Sequence, residues 1–598
     1  MLNLKRAAGA LGATALLMAS AAWADLAETT NAMAPLELRN SSEWSAFEWQ
    51  LEEAASYGLD GVSVDVWWGM VEGDGDGQYD WSYYDAIFDT IISRGLQIIP
   101  IMSFHQCGGN VGDDCGEDVI TRDGNSWQLG QSGTNEIPIP WWIWEDIPAQ
   151  HAGLSDADMR YKSEFGNYSV ETVSLWADDF VLDQYADFMA AFQDRYEHLA
   201  DHIIELNISM GPAGELRYPS YNQHDDGHAI ASYPGRGALQ AYGRLAIEDF
   251  QAWAEDKYGN LTSLNNAWGT SLSNFDQVNP PSDAQFFFDQ QDHLYSQYGR
   301  DFIRWYHESL TAHGTRMLNA AMDGFDGAFS GIELGMKIPG IHWQIGNPSD
   351  SVRRVPEMTA GLIPSDIDIY SPSTGHGYES MINTTQTGSD PNRNVVLHFT
   401  ALEMGNPDSF PDYSRAEDLV FWVGEEGGNQ GVDLKGENAL AGGAMTDFGW
   451  DQIENAFTHS SYNGLTILRL QNVTENNTGR NRYAQFIQNF HAGTGDDGAT
   501  VNFTCNNGST YWGQSVYAVG NTAELGNWDP ANGVLLDATN YPTWSGSVSD
   551  LPKNTSIEWK CVKREESNPG AGVEWQSGSN NQVTTGGDGS SVSSTGSF

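Results

Sequence analysis

The sequence predicts an α/β fold, a (β/α)8 TIM barrel, with a C-terminal all-β domain. Short buried strands alternate with helical segments over about 450 residues, with about eight strands in all. Beyond residue 499 the pattern changes to short alternating runs separated by Gly, Asn and Pro turns, which is typical of a β-sandwich or β-barrel. An open doubly wound sheet is the alternative for the first part, although no GxGxxG loop stands at a strand–helix junction.

Local patterns predict each element in turn. Apolar, β-branched runs bounded by turn residues predict strands at 34–38, 61–66, 97–103, 203–208, 331–337, 395–400, 432–434 and 465–470. Helical patterns are predicted at 44–56, 83–94 and 182–198. The chain is thereby divided into a barrel at 25–490, a linker at 491–498, a β domain at 499–583 and a Gly/Ser/Thr-rich disordered tail at 584–598.

Nearly every predicted strand ends at or near a chemically capable polar residue. These residues are Asp65, His105, Glu215, Lys337, Thr400, Glu437 and Arg469. In an eight-stranded barrel the carboxyl ends of the strands meet at one mouth, where active sites are built, so we expect all seven to face one pocket. Glu215 lies in the Gly/Pro-rich stretch GPAGELRYPSY, a turn that brings backbone close to a ligand. Arg217, Tyr218 and Tyr221 supply donors and ring faces around it.

The charge balance is strongly acidic, with 81 Asp and Glu against 28 Lys and Arg and a formal net charge of −53. Such a field repels nucleic acid and anionic membranes, so neither is expected as a partner. It suits a protein working in saline water, where screening relieves self-repulsion, and an ordinary acidic exported protein is the alternative.

Residues 1–24 have the layout of a secretory signal peptide. A charged start precedes a short apolar run at 10–21 and the small-x-small cleavage site Ala22-Trp23-Ala24. No other stretch reaches about 18 apolar residues, so a soluble, secreted, extracellular protein is expected.

Four cysteines allow three pairings. Proximity along the chain favours Cys107 with Cys115 and Cys505 with Cys561, and an oxidising compartment favours disulfides. Zinc binding is the alternative, but no CxxC spacing supports it.

Several motifs resemble those of β-amylases, glycoside hydrolase family fourteen. The specific ones are HQCGGNVGD at 105–113 and GPAGELRYPSY at 211–221. Shorter pieces match in order: DVWWGMVE, KIPGIHW, FTALEM, GENAL and LRL, and the resemblance covers about residues 33–490. It implies an exo-acting, inverting enzyme that releases β-maltose from the non-reducing ends of starch and related α-1,4-glucans.

The resemblance assigns Glu215 as the general acid and Glu437 as the general base. Inverting hydrolysis needs one protonated and one ionised carboxyl, about 6.5–9.5 Å apart, with a water between the second and the sugar. The acid is therefore expected to be the more desolvated of the two. Glu403 also follows a strand closely and is the second candidate for the base.

Further residues match positions that hold the sugar near the cleavage point. They are Asp65, His105, Asp113, Lys337, His342, Thr400, Asn438, Ala439 and Arg469. His398 and Ala401 depart from the family, which usually carries Asn and Cys there. An apparent insertion at 116–135 lies in the loop expected to close over substrate, either as a modified lid or as a surface excursion.

Some bacterial relatives bind Ca²⁺, and the resemblance places possible ligands at Glu72, Asp76 and Asp187. Gln184 replaces a carboxylate in that set, so calcium binding is an open alternative to an ordinary acidic surface. No organic cofactor is implied.

The β segment resembles starch-binding modules, carbohydrate-binding family twenty, over about residues 499–583. The motif VYAVGNTAELGNW carries this resemblance. It implies one sugar site at Trp528, Lys560, Trp575 and Asn580 and a second at Trp512 and Tyr541, where flat rings stack on glucose. Trp544 and Trp559 are expected in the core instead.

Two other functions remain open. A retaining maltooligosaccharide-forming amylase is possible because similar modules accompany such enzymes, and a product of retained α-configuration would identify it. A non-catalytic starch-binding protein is possible as well, although both carboxylates are present. A monomer is expected.

Overall fold

A computed structural model describes residues 27–108, 115, 119–122, 125–128, 137–491, 499–552, 555–585 and 591–598. The chain forms two compact units, Met1–Phe490 and His491–Phe598. The predicted signal peptide at 1–24, the binding residue Asp113 and the linker at 492–498 lie outside the described residues.

The first unit is built on a closed barrel of eight parallel strands that pair in chain order. The strands are β1 (Thr29–Met33), β2 (Gly61–Trp67), β3 (Gln97–Ser103), β4 (Glu205–Ile208), β5 (Glu333–Ile338), β6 (Val395–Phe399), β7 (Leu434–Glu437) and β8 (Tyr462–Ile467). β8 closes the barrel on β1, with Thr29 opposite Gly464. The predicted (β/α)8 barrel is confirmed, and all eight strands present their carboxyl ends at the same mouth.

The α-helices of the first unit surround this barrel and bury their apolar faces with the strands in one core. Their bounds in the described part of the chain are Ser41–Ser56, Trp68–Val71, Ser82–Ile92, Trp141–Gln150, Leu182–Tyr196, Arg244–Tyr258, Leu261–Trp268, Ala284–Asp289, Asp292–Tyr295, Gln297–Gly324, Val355–Thr359, Glu379–Asn383, Ala416–Gln430, Asp447–His459 and Asn477–Phe490. Local signals set several ends: Asn40 accepts the N–H groups of Ser42 and Glu43, and Gly431 ends a helix in the left-handed region.

The first strand was predicted at 34–38, but it lies immediately before that stretch. The strand is Thr29–Met33, and residues 34–38 continue beyond it as a loop. The apolar pattern does not mark this strand, because its buried residues include the polar side chains of Thr30 and Asn31. The backbone N–H and hydroxyl of Thr30 donate to Asp60 Oδ2 over 2.7 and 3.0 Å, which satisfies the polar side chain inside the barrel.

The last two barrel strands also lie beside their predicted positions. β7 was predicted at 432–434 and β8 at 465–470, whereas the strands are Leu434–Glu437 and Tyr462–Ile467. Lys435 and Glu437 are buried strand residues, so an apolar pattern cannot mark β7.

Two short antiparallel hairpins extend from the barrel. Within the apparent insertion, Val119–Arg122 pairs with Asn125–Gln128, so this part of the insertion forms a hairpin. Arg160–Lys162 pairs with Tyr168–Val173.

The second unit is all β, as predicted. Its strands are β9 (Ala499–Asn506), β10 (Gln514–Gly520), β11 (Val534–Leu535), β12 (Asp537–Asn540), β13 (Thr543–Leu551), β14 (Ser556–Glu565), β15 (Glu574–Trp575), β16 (Asn581–Thr584) and β17 (Ser591–Ser597). One sheet has the order β12-β13-β9-β17 and the other β11-β10-β14-β15, with β16 also on β14. Trp544 and Trp559 are buried in its core, as expected.

The predicted disordered tail at 584–598 is wrong where the structure describes it. β17 pairs in parallel with β9, from Thr500 opposite Ser591 to Asn506 opposite Ser597. Ser, Thr and Gly show no hydrophobic pattern, but the free edge of β9 offers a full set of backbone partners. Val592 and Phe598 also pack on the core.

Both predicted disulfides are present, Cys107–Cys115 and Cys505–Cys561, one in each unit. Among the described residues, no helix is both long enough and apolar enough to span a bilayer.

Candidate active site

Glu437 is the last residue of β7 and is buried at the mouth of the barrel. Lys337 Nζ, from the neighbouring β5, lies 2.6 Å from its Oε2, and His398 Nδ1, from β6, lies 3.1 Å from its Oε1. Burial raises the pKa of Glu437, but Lys337 and His398 outweigh burial and hold it below the ordinary value. The side chain is therefore an ionised carboxylate, as a general base must be.

Glu215 stands on the turn that follows β4. Only glycine fits at Gly211, where an added Cβ would lie 2.6 Å from the carbonyl oxygen of Glu215. The turn returns to the barrel at Lys337, since the N–H of Leu216 donates to the Lys337 carbonyl over 2.7 Å. Burial raises the pKa of Glu215 above its ordinary value, while Arg217 and Lys337 lower it by a smaller amount.

The two carboxyl groups thus share Lys337 as a neighbour but have opposite pKa shifts. Glu437 also lines a cavity of about 30 Å³ together with Lys337, His398, His105 and the Ala213–Gly214 turn, which is room enough for a water molecule. A carboxyl whose raised pKa favours the protonated form and a carboxylate that faces space for water are the two groups that acid–base hydrolysis needs.

Arg217 holds the Glu215 carboxyl in place. Its Nε donates to Glu215 Oε2 over 2.7 Å, and its NH1 donates to Asn222 Oδ1, also over 2.7 Å. The guanidinium stacks on the ring of Tyr221, with 4.2 Å to the centroid. Tyr218, predicted beside the site, is instead a fully buried core residue whose hydroxyl donates to the Tyr306 carbonyl.

Asp65, Arg469 and His105 lie at the ends of their strands, as the sequence predicts. Arg469 NH1 lies 3.9 Å from Asp65 Oδ2, and the Ser103 hydroxyl donates to Asp65 Oδ1 over 2.8 Å. Burial, with Lys337 and Arg217 nearby, lowers the pKa of His105 to about 3, so the ring is neutral and its Nδ1 lies 2.8 Å from Ser209 Oγ. A neutral imidazole can donate to or accept from a sugar hydroxyl.

The remaining predicted binding residues belong to the loops after β5, β6 and β7. Thr400 Oγ1 accepts the N–H of Gly340, two residues before His342, and so joins two of these loops. Asn438 has a structural role, because its amide group pairs with both the N–H and the carbonyl of Leu468 and fixes the loop after β8.

The hydrogen bonds of Glu403 do not favour it as the general base. Its two carboxyl oxygens accept the N–H groups of Ala439 and Leu440 over 3.0 and 2.8 Å. Burial raises its pKa to about 7, although these backbone donors lower it. Glu403 therefore holds the loop that follows Glu437, and Glu437 is the favoured base.

The sequence reasoning missed a buried charged network beneath the site. Lys435 Nζ lies 2.5 Å from Glu205 Oε2, and His398 Nε2 lies 2.6 Å from Glu205 Oε1. Asn207 Nδ2 also donates to Glu205 Oε1, over 3.0 Å. The available signal was the charged Glu205 inside the mostly apolar run IIELNI; the run VDLKGE around Lys435 gives no such signal, because it is itself rich in charge.

Comparison with known proteins agrees with this geometry. Residues 32–496 match the model of glycosyl hydrolase family 14, and residues 498–595 match the model of the starch binding domain. The chain is 35% identical to the thermophilic beta-amylase of Thermoanaerobacterium thermosulfurigenes over 95% of both chains. It is 32% identical to the beta-amylase of Bacillus cereus, covering 91% of this chain and 88% of that one.

A solved structure supports the same assignment. The catalytic domain of beta-amylase from Paenibacillus polymyxa aligns with a TM-score of 0.63 and 33% identity, covering 77% of this chain and 98% of that one. This chain belongs to glycosyl hydrolase family 14.

The starch-binding domain of this family 14 chain brings the residues of each predicted sugar site near one another. Trp528 and Trp575 have ring centroids 6.2 Å apart, and Lys560 on the same sheet donates to the carbonyls of Gln576 and Gly578. Asn580 lies close by and donates to Glu558.

The two aromatic residues of the second predicted sugar site, Trp512 and Tyr541, lie at a surface depression of the same domain. Trp512 and Tyr541 line an open depression of about 690 Å³. Trp512 is 102% exposed, and an indole so fully presented to water is typical of a ligand-stacking residue.

The calcium prediction gains no support from the geometry. Glu72 uses one oxygen to accept Trp68 Nε1 and the other to accept the Gly77 N–H, both over 2.7 Å. Among the described residues, no three His, Cys, Asp or Glu side chains group closely enough to hold a metal ion. Calcium binding at Glu72, Asp76 and Asp187 therefore stays a prediction, and no chemistry is assigned to calcium.

Proposed function

We propose that Glu215 and Glu437 hydrolyse α-1,4-glucans by inversion, releasing β-maltose from non-reducing ends of starch. Membership of family 14 and the names of the relatives establish a glycosidase of the beta-amylase type. The observation that supports the two roles is the pair of opposite pKa shifts around Lys337, because an acid and a base must differ in protonation at the same pH.

The reaction begins with a protonated Glu215. Its proton passes to the glycosidic oxygen as the bond to the anomeric carbon breaks. Arg217 fixes the direction of the carboxyl through Nε, and Asn222 fixes Arg217 in turn. Holding the donor on a packed side chain keeps the proton transfer short and aligned.

Glu437 acts on the other face of the sugar. It takes a proton from water while the water oxygen bonds to the anomeric carbon, so the new hydroxyl has the β-configuration. Lys337 and His398 keep Glu437 ionised before the step. Since the cavity beside Glu437 has room for water, the attacking molecule need not enter through the sugar-filled mouth.

The starch-binding domain is proposed to anchor the enzyme on granules through its two ring pairs, Trp528 with Trp575 and Trp512 with Tyr541. The sequence at 1–24 further supports export to the extracellular medium, where starch is met.

Proton NMR of maltose at its moment of release from soluble starch tests the inversion. The β-anomer should appear first and then mutarotate; initial α-maltose would instead identify a retaining amylase. Glu215→Gln and Glu437→Gln should each lower kcat by at least about 10³-fold, as removal of an acid or base does. Glu403→Gln is the matched control, and it should keep substantial activity. An active Glu437→Gln would exclude Glu437 as the base.

A further inference from the structure

His398 lies between two carboxylates inside the barrel. Its Nε2 is 2.6 Å from Glu205 Oε1 and its Nδ1 is 3.1 Å from Glu437 Oε1. The side chain is buried, and each ring nitrogen lies within hydrogen-bond distance of a carboxylate oxygen. A neutral imidazole carries one N–H and one lone pair, and a lone pair cannot face an ionised carboxylate favourably. Both nitrogens must donate, which requires the imidazolium.

The groups that face His398 come from each neighbouring strand. β4 supplies Glu205 and Asn207, β5 supplies Lys337, and β7 supplies Lys435 and Glu437. The order of contacts is Lys435, Glu205, His398, Glu437, Lys337, so positive and negative groups alternate. Each carboxylate then contacts two cations, and His398 is the only member that can lose its charge near neutral pH.

We infer that His398 is a positioning residue which, as an imidazolium, orients the Glu437 carboxylate and extends activity to more acidic pH. The inference rests on Glu437 being the base. An Asn in this place could donate a hydrogen bond but would bring no charge. Here the base contacts a cation on each of its two oxygens.

The pH effect has a definite sign. Burial lowers the pKa of His398, but Glu205 and Glu437 outweigh burial and raise it, which favours the charged ring. Glu437 works only when it is ionised, and activity falls as pH drops through its pKa. Since His398 holds that pKa down, its removal should raise the pKa of Glu437 and move the acidic limb of the pH profile upward.

The experiment compares the pH profile of kcat/KM for the wild type, His398→Asn and His398→Gln in the full-length enzyme. We expect the acidic limb to move up by about one to two pH units in both variants, with the alkaline limb in place. His307→Asn is the matched control, because His307 is also buried but its two ring nitrogens face the Gly361 carbonyl and the Ser380 hydroxyl instead of carboxylates. It should lower the melting temperature and leave both limbs unchanged.

An acidic limb that stays in place in folded His398→Asn would overturn the inference, and a purely structural role would produce that result together with a lower melting temperature. If Glu437→Gln is inactive and the acidic limb of His398→Asn is unmoved, only the inference about His398 fails. If Glu437→Gln is active, the assignment of Glu437 as the base fails.

Should the variants not fold, wild-type enzyme labelled with ¹⁵N-histidine still decides the question. An imidazolium signal that is assigned to His398 and persists at about pH 8 supports the inference, since unperturbed histidine is neutral there. The assignment is needed because both ring nitrogens of His313 also face acceptors, Asp178 Oδ2 and the Met210 carbonyl. The absence of any such signal overturns it.

Discussion

Replacing Arg217 by Met should move the alkaline limb of the pH profile to higher pH. Arg217 is 1% exposed, and its Nε donates to the largely buried carboxyl of Glu215 over 2.7 Å. An opposite charge in such contact typically lowers a carboxyl pKa by about 1–3 units, or about 1.4–4 kcal/mol. Glu215 acts in its protonated form, so activity is lost as pH rises through its pKa. Without Arg217 that pKa rises further, and the protonated acid persists to higher pH.

The same change should lower activity at the optimum. Glu215 loses the donor that directs it, and misplacement of a catalytic group by about 1 Å can cost about 10²-fold in rate. Asn222 loses its link to Glu215 as well, and breaking a buried ion pair destabilises a fold by about 3–5 kcal/mol.

The assay is kcat/KM on maltopentaose or a longer soluble glucan from pH 4 to about 10, with thermal unfolding measured alongside. Arg354→Met is the matched control, because Arg354 is also fully buried and pairs with Glu357 away from the two carboxyls. It should lose comparable stability without any shift in the limb. An alkaline limb of Arg217→Met that stays in place or moves to lower pH would refute the reasoning.

Three further predictions concern the β domain and the charge. Trp512→Ala with Trp575→Ala should weaken binding to raw granules and spare hydrolysis of soluble starch; equal loss on both substrates in pull-down and rate assays would contradict a separable module. Deleting residues 591–598 should destabilise the β domain by several kcal/mol, since each lost backbone hydrogen bond is worth about 0.5–1.5 kcal/mol, and an unchanged calorimetric transition would show that β17 contributes nothing. Activity should persist or rise in concentrated NaCl because the net charge is −53, and sharp inhibition by salt would rule out adaptation to saline water.

The sequence located most barrel strands because their apolar runs are periodic and bounded by turns. β2 and β3 were predicted within one residue, at 61–66 and 97–103. β1 and β7 were displaced for the same reason: they bury Thr30, Lys435 and Glu437, whose cost of burial is offset by partners from other segments, Asp60, Glu205 and Lys337 respectively. Local pattern carries no information about those partners.

The sequence predicted which residues belong to the candidate site, but not the charges and hydrogen bonds around them. Glu215 and Glu437 were identified through motifs and their positions after strands. That Glu403 would hold backbone N–H groups, and that Asn438 would fix Leu468, follows only from which loops meet at the mouth. The tail shows the same limit, since β17 is stabilised by the edge of β9 about ninety residues earlier.

By itself the amino-acid order indicated the two-domain architecture, the likeness to β-amylases, the two disulfide pairings and the candidate catalytic residues, because each follows from local pattern, proximity along the chain or motif. Tertiary structure alone decided which carboxyl has the raised pKa. That property depends on burial and on cations from Lys337, His398 and Arg217, which approach from three different segments and act over a few ångströms.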